Sequence, residues 1–205
     1  MATQKKSLLA SERDEEKRAA WREEAGGIAP ELFVWVDECG THTSMTRTRA
    51  RAPKGERAYG KVPRNRGKNT TLISSMVLSG MGASMAFEGA TDASAFEIYV
   101  EHFLAPTLKE GQIVVMDRLG AHRGERVREL IEERGAVLWF LPSYSPDLSP
   151  IEEAFSKLKA LLKKKAARTK EALLEAIAEA LRAVTPQDVK GWFAHCAYGT
   201  KAQGL

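Results

Sequence analysis

The sequence predicts an α/β fold, a five-stranded mixed sheet flanked by helices, with extra helices at the C-terminal end. Three observations carry that prediction. Apolar runs of strand length recur five times along the chain. Two of them are joined by a short glycine-bearing connection, the mark of an antiparallel hairpin. After that meander, helical periodicity alternates with strands, which requires crossover connections and at least partly parallel pairing. With 205 residues the chain can bury one full core. The expected organisation is a leading linker helix over residues 1–30, a principal domain over 31–166 with an insert at 41–69, and a helical extension over 167–205.

The elements follow in order. Residues 11–25 open on Ser11, a capping-type residue, and are dense in helix formers until Gly26, Gly27 and Pro30 stop them. The apolar run Leu32-Phe33-Val34-Trp35-Val36 predicts the first strand, ending at Asp37. Residues 70–78 and 83–87 predict two more, joined through Ser79-Gly80-Met81-Gly82. Asp92 can cap a helix whose stripe is Phe96, Tyr99, Val100, Phe103 and Leu104. A strand Ile113-Val114-Val115-Met116 then leads to Asp117. A helix over 125–134 with Val127, Leu130 and Ile131 inward comes next, and a short strand over 136–141 follows. The turn-rich stretch Pro142-Ser143-Tyr144-Ser145-Pro146-Asp147-Leu148 precedes a long helix from Ser149, buried along Ile151, Phe155, Leu158, Leu161 and Leu162. Thr169 opens a further helix with Leu173, Leu174, Ile177, Leu181 and Val184 apolar.

Composition narrows the function classes. No stretch approaches the roughly 18 consecutive apolar residues of a membrane span, and the first residues lack the apolar core of a signal peptide. A cytoplasmic protein with no membrane partner is expected. Cys39 and Cys196 are the only cysteines and match no zinc or redox spacing, so they read as free structural thiols. The net charge is only +4, yet residues 45–68 carry Arg47, Arg49, Arg51, Lys54, Arg57, Lys61, Arg64, Arg66 and Lys68 against the single acid Glu56. A basic arm therefore rides on a mildly acidic body, and a phosphate backbone is its natural partner; a merely solvated loop is the alternative.

Asp37 and Asp117 close two strands, and Glu152 opens the long helix. If the first and fourth strands are neighbours, as a sheet of this order allows, both Asp side chains reach one point and the helix adds Glu152. Hard oxygen donors in that arrangement suit Mg²⁺ or Mn²⁺, and two ions can clamp the attacking and leaving oxygens of a phosphodiester. A nuclease or strand transferase is the reaction class expected. Glu152 has a structural reading too, because Ser149, Pro150 and Glu152 spell a capping box. Glu153 is the nearest rival on the helix, while Glu38 alternates to the opposite side of its strand from Asp37. His122 stands five residues beyond Asp117 and reads either as an auxiliary site residue or as structural. Tyr144 is expected to pack its turn, with base stacking the alternative.

Three motifs carry a family resemblance. They are Val36-Asp37-Glu38-Cys39-Gly40, then Val115-Met116-Asp117-Arg118-Leu119-Gly120-Ala121-His122, then Leu141-Pro142-Ser143-Tyr144-Ser145-Pro146-Asp147-Leu148-Ser149-Pro150-Ile151-Glu152-Glu153, with 34 residues between Asp117 and Glu152. In that order and spacing the chain resembles the DDE endonuclease domain of a bacterial insertion-sequence transposase, the insertion-sequence-630 type of the mariner superfamily, within the RNase H-like group that includes retroviral integrases. The resemblance implies an RNase H-like sheet and metal-dependent cleavage at transposon ends. It also implies transfer of the freed 3′-hydroxyl to target DNA. Asp37 would bridge two Mg²⁺ or Mn²⁺ ions, with Asp117 and Glu152 holding one each. Residues 5–25 look like the connecting helix before the catalytic domain, and the basic insert stands where the family grips DNA and its partner subunit. Double-stranded DNA, a second copy of the chain and a bacterial, nucleoid-associated location are implied.

Two features depart from the family. Arg118 stands where the family carries Asn, which sets a cation beside the acidic cluster. The leading residues are too few for helix-turn-helix DNA-reading domains, so end recognition is expected from an upstream-frame polypeptide. A catalytically silent DNA-binding remnant that competes with full-length transposase, and a plain ribonuclease H, are the competing readings.

Overall fold

The computed structural model describes residues 10–199. The first nine residues of the expected leading segment and the last six of the C-terminal extension lie outside the described residues. Five strands form one sheet: β1 (Phe33–Thr41), β2 (Thr70–Val77), β3 (Gly80–Glu88), β4 (Ile113–Met116) and β5 (Val137–Phe140), in the order β3-β2-β1-β4-β5. Pairing is antiparallel from β1 to β3 and parallel across β1, β4 and β5. The helices are α1 (Glu15–Ala25), α2 (Ala93–Tyr99), α3 (Glu125–Glu132), α4 (Pro150–Lys165), α5 (Lys170–Arg182) and α6 (Pro186–His195). This is the mixed five-stranded sheet with helices on both faces that the sequence predicts.

The period-two alternation of β1 divides the core. Phe33, Trp35 and Cys39 join the cluster built with α1, α4, α5 and α6, whereas Val34 and Val36 join the one under α2 and α3. Trp35 is fully buried, and Trp139 packs its edge against Trp21 of α1 at a centroid distance of 5.4 Å.

Several elements differ from expectation, each for a local reason. Helix α1 starts later than Ser11, because the Asp14 carboxylate accepts the Lys17 N–H at 3.0 Å and caps the helix there. The hairpin is tighter than the sequence suggests. Val77 pairs with Gly80, leaving a two-residue turn at Leu78 and Ser79, and Gly80, the residue after the turn, takes a φ of 143° that a side chain would strain. A register shift at Ser75 accompanies it, and a Cβ on Gly82 would meet the Ser75 hydroxyl at 2.5 Å. The stripe of α2 breaks at Phe103, which is 39% exposed. There the helix widens into a π-type turn over Val100–Leu104, and the extra residue rotates Phe103 outward. Helix α6 went unpredicted although Thr185, Pro186 and Asp188 spell its start, and a complete Thr185/Asp188 capping box forms there.

Candidate active site

Strand β1 does not stop at Asp37 but runs to Thr41 along β2. On its other side, pairing with β4 ends at Trp35↔Val115. The same register carried two positions further sets Asp37 across from Asp117, at the point where the parallel ladder opens. Asp37 shares the face of Trp35, and α4 packs on that face with Glu152 in its first turn. Asp37, Asp117 and Glu152 thus line one cleft of about 400 Å³, walled by residues 141–146 and Ser149. A larger hollow of about 640 Å³, near Leu78, Leu108 and Pro186, contains none of the three.

The capping explanation for Glu152 fails. The Ser149 side chain makes no cap hydrogen bond, and its backbone N–H donates to the Pro146 carbonyl at 3.0 Å instead of reaching Glu152. Glu152 is exposed towards the cleft, while Glu153 turns to α6, where His195 Nδ1 stands 3.2 Å from its carboxylate. Geometry thus removes Glu153 from the cleft and leaves Glu152 as the acid that α4 contributes.

The two aspartates differ in their environments. Burial pushes Asp37 up to about 7; the Glu38 N–H, donated to its Oδ1 at 2.7 Å, opposes that, and the negative charges of Glu152 and Asp117 add to it. Asp117 also suffers burial, yet it lies below the usual carboxylate range because His122 and the Leu119 N–H both donate to it. His122 is fully buried, with Nδ1 at 2.7 Å from Asp117 Oδ1 and Nε2 at 2.9 Å from Glu38 Oε1. Its ring lies on Phe96 with centroids 4.2 Å apart. Burial pulls the imidazolium down, but the two carboxylates outweigh it and push the ring up to about 9, so both nitrogens donate. Glu38, on the opposite face of β1 from Asp37, is thereby tied to Asp117 through His122.

The donor chemistry suits a hard divalent cation: three carboxylates share one cleft, where burial first and the charges of Glu152 and Asp117 after it raise Asp37. Among the described residues, no three His, Cys, Asp or Glu side chains already surround a single point. Arg118 and Leu119 line the same cleft and are exposed, which puts a cation beside the carboxylates.

Other expected residues fall into place around this cleft. Residues 42–69 form a long excursion between the paired Thr41 and Thr70, without helix or strand. Its base is fastened: Met45 is buried, and Arg168 donates to the carbonyls of Thr43 and Met45 at 2.9 and 3.0 Å. Arg47, Arg49, Arg51, Lys54, Arg57, Lys61, Arg64, Arg66 and Lys68 are all exposed, and of these Lys68 has an acidic partner, Glu88 at 3.8 Å. Tyr144 is not packed as expected; it is 56% exposed on the cleft wall with φ at 56°. Cys39 and Cys196 are buried free thiols, both pushed up to about 12 by burial.

One contact is not foreseen from the sequence. Arg18 is fully buried on α1 and donates two parallel hydrogen bonds to Asp147, at 3.0 and 2.6 Å. Its position with Trp21 and Ala25, at i, i+3 and i+7, was the available signal that an Arg occupies the buried stripe of that helix.

A family model described as DDE superfamily endonuclease matches residues 32–174. The chain belongs to this family. No curated protein matches it. Among solved structures it is similar to a Mos1 transposase paired-end complex with the left transposon end, at 18% identity and a TM-score of 0.75, covering 96% of this chain and 64% of that one. It is also similar to the Mos1 transposase catalytic domain with raltegravir and Mg, at 16% identity and a TM-score of 0.68, covering 93% and 94%. A Mos1 mariner paired-end complex with Mn gives 17% identity and a TM-score of 0.74. At these identities the likeness shows the fold, an RNase H-like sheet. The DDE chain spans about 64% of the length of the transposase chains in the paired-end complexes.

Proposed function

We propose that this chain is the catalytic domain of a transposase of the mariner superfamily, of the bacterial insertion-sequence-630 type, which cuts DNA and transfers strands. The observation that carries this is the register of β1 and β4: it sets Asp37 beside Asp117 where their ladder opens, with Glu152 across the cleft. In this reading residues 31–166 are the catalytic domain, residues 1–30 the linker and 167–205 a helical extension.

Asp37, Asp117 and Glu152 would hold Mg²⁺ or Mn²⁺, two ions per site. Bound ions would supply positive charge at the scissile phosphate and lower the pKa of the attacking hydroxyl. The chain's own side chains do the rest. His122 and Glu38 fix the orientation of Asp117. The nine basic residues of the arm, Arg47 to Lys68, hold the phosphate backbone of transposon ends and target. A second copy of the chain and a helix-turn-helix polypeptide from an upstream frame complete the assembly on DNA, in the bacterial cytoplasm at the nucleoid.

The test is a Mg²⁺ and Mn²⁺ titration of the wild type and Asp117→Ala, followed by nicking of a generic duplex. Metal uptake and nicking that both vanish in Asp117→Ala are the expected result; nicking that persists in the variant would overturn the assignment. Arg118 favours a second reading, a silent DNA-binding remnant, because a cation in the cleft opposes metal entry. That reading expects DNA binding without metal uptake, and metal uptake restored by Arg118→Asn.

A further inference from the structure

The cleft wall that carries Glu152 is not held by its own helix cap. Ser149 makes no side-chain cap bond, so the start of α4 takes its position from the turn over Pro146–Leu148 just ahead of it. That turn is gripped from behind at two successive residues. At Asp147, the buried Arg18 of α1 supplies its bidentate pair, and the guanidinium groups of Arg13 and Arg22 stand 3.8 Å away on the same helix and its approach. At Leu148, the carbonyl accepts the Tyr198 hydroxyl at 2.6 Å, and that same hydroxyl accepts the Trp21 indole N–H at 3.0 Å. Both grips therefore run back to α1, one of them through the residues that follow α6. The strained backbone of Tyr144 on the same wall, with φ at 56°, shows that the loop is held in a conformation it would not choose alone.

We infer that Arg18 and Trp21 are positioning residues for the cleft: α1 acts as a latch that sets the wall at residues 142–149 and, through it, the place of Glu152. The helix ahead of the first strand is then part of the site's geometry and not a passive connector. The hydrogen bonds divide the labour. The Arg18 pair fixes the turn against rotation, because a planar fork matched to a carboxylate allows one orientation. The Trp21–Tyr198–Leu148 chain fixes its depth against the core. Arg18 is fully buried and Glu15 reaches only its Nε, at 3.4 Å, so loss of Asp147 takes the hydrogen bonds from both terminal nitrogens of the guanidinium, which is costly in that environment. The inference rests on the reading of Glu152 as a metal ligand, and its test separates the two.

The variants are Arg18→Met, Arg18→Lys, Asp147→Asn and Tyr198→Phe, each in the full chain. Two readouts are taken well below the melting temperature: Mn²⁺ binding followed by the electron paramagnetic resonance of the free ion, and hydrogen–deuterium exchange over residues 142–152. Loosening Glu152 is expected to raise the Mn²⁺ dissociation constant about 10–100-fold in Arg18→Met, as loss of a supporting partner does at other metal sites. Arg18→Lys, which keeps charge but not the fork, is expected to fall between it and the wild type. Exchange is expected to rise in residues 142–152 while the strands stay protected. Tyr198→Phe removes one grip and Asp147→Asn weakens the other to a single uncharged acceptor, both with little change of shape, so they decide the matter if Arg18→Met does not fold. Unchanged Mn²⁺ affinity and exchange in folded variants would overturn the latch. A wild type that takes up no Mn²⁺ would overturn the reading of Glu152 instead, and exchange in residues 142–152 would still report whether α1 holds the wall.

Discussion

At the scale of single residues, the site is a set of carboxylates kept apart in chemistry by what touches them. Asp37 has one N–H donor and two negative neighbours, whereas Asp117 has a buried imidazolium. Removing the outer partner of that imidazolium tests the arrangement. Glu38→Ala leaves His122 buried with one carboxylate, and loss of a charge-assisted bond at a buried group costs about 1.5–3 kcal/mol, measurable by urea denaturation. The same variant is expected to weaken divalent-metal binding, because His122 then no longer holds Asp117 in one orientation. Unchanged stability and metal binding would show that Glu38 is a bystander. The three cleft carboxylates were legible in the sequence because each follows a pattern with a physical meaning: an apolar run that stops, or a proline that starts a helix. Glu38 was legible only as a residue on the opposite face. Its partner lies 84 positions away, and no local pattern announces a contact across a sheet edge. Ser149 is the reverse case, where a capping box is written in the sequence and the turn before it makes other bonds.

At the scale of elements, the strands were legible because β-branched and aromatic runs have few other uses, and their ends were less so. Strand β1 runs past Asp37 because β2 continues to pair with it after β4 has ended, a tertiary fact that no propensity records. Helix α6 is the reverse case, since its start signal was present and the apolar content after it is thin. That start also predicts an acid response. Asp188 lies well below the usual carboxylate range, held by hydrogen bonds from Lys157 first and then from Thr185. Asp147 is likewise lowered by Arg18. A carboxylate lowered in the folded state contributes stability that is present above its unfolded pKa, near 3.8, and is lost as pH falls through the folded one. The melting temperature is therefore expected to drop below about pH 4, and to drop less steeply in Asp188→Asn. At neutral pH, Thr185→Ala is expected to cost about 1 kcal/mol through the lost cap. An acid profile identical in wild type and Asp188→Asn would remove Asp188 from this account.

At the scale of the whole molecule, the fold sets the basic arm apart from the carboxylate cleft. The arm over residues 42–69 leaves the sheet between Thr41 and Thr70, four residues beyond Asp37 along β1, and is fastened at its base by Arg168 from the turn between α4 and α5. The arm's charge was plain in the sequence; that its base is anchored to the end of the helix that carries Glu152 was not, because Arg168 lies 125 positions from Thr43. An exposed arm whose basic side chains mostly lack acidic partners among the described residues has counterions to release, and each phosphate contact adds about 0.9 to the dependence of log K on log salt for duplex DNA. Arg47, Arg49 and Arg51 are exposed beyond the fastened base. If all three meet phosphates, changing them together to Ala reduces that slope by about 2.7 and weakens binding most at low salt. Fluorescence anisotropy of a labelled duplex across a salt series reads both quantities. A parallel displacement of the line with unchanged slope would mean that these side chains shape the arm without touching phosphate. Because the base is held by Arg168, Met45 and Thr43 and not by the arginines themselves, the triple variant keeps the arm attached. Its loss of slope then reports contact with DNA and not unfolding.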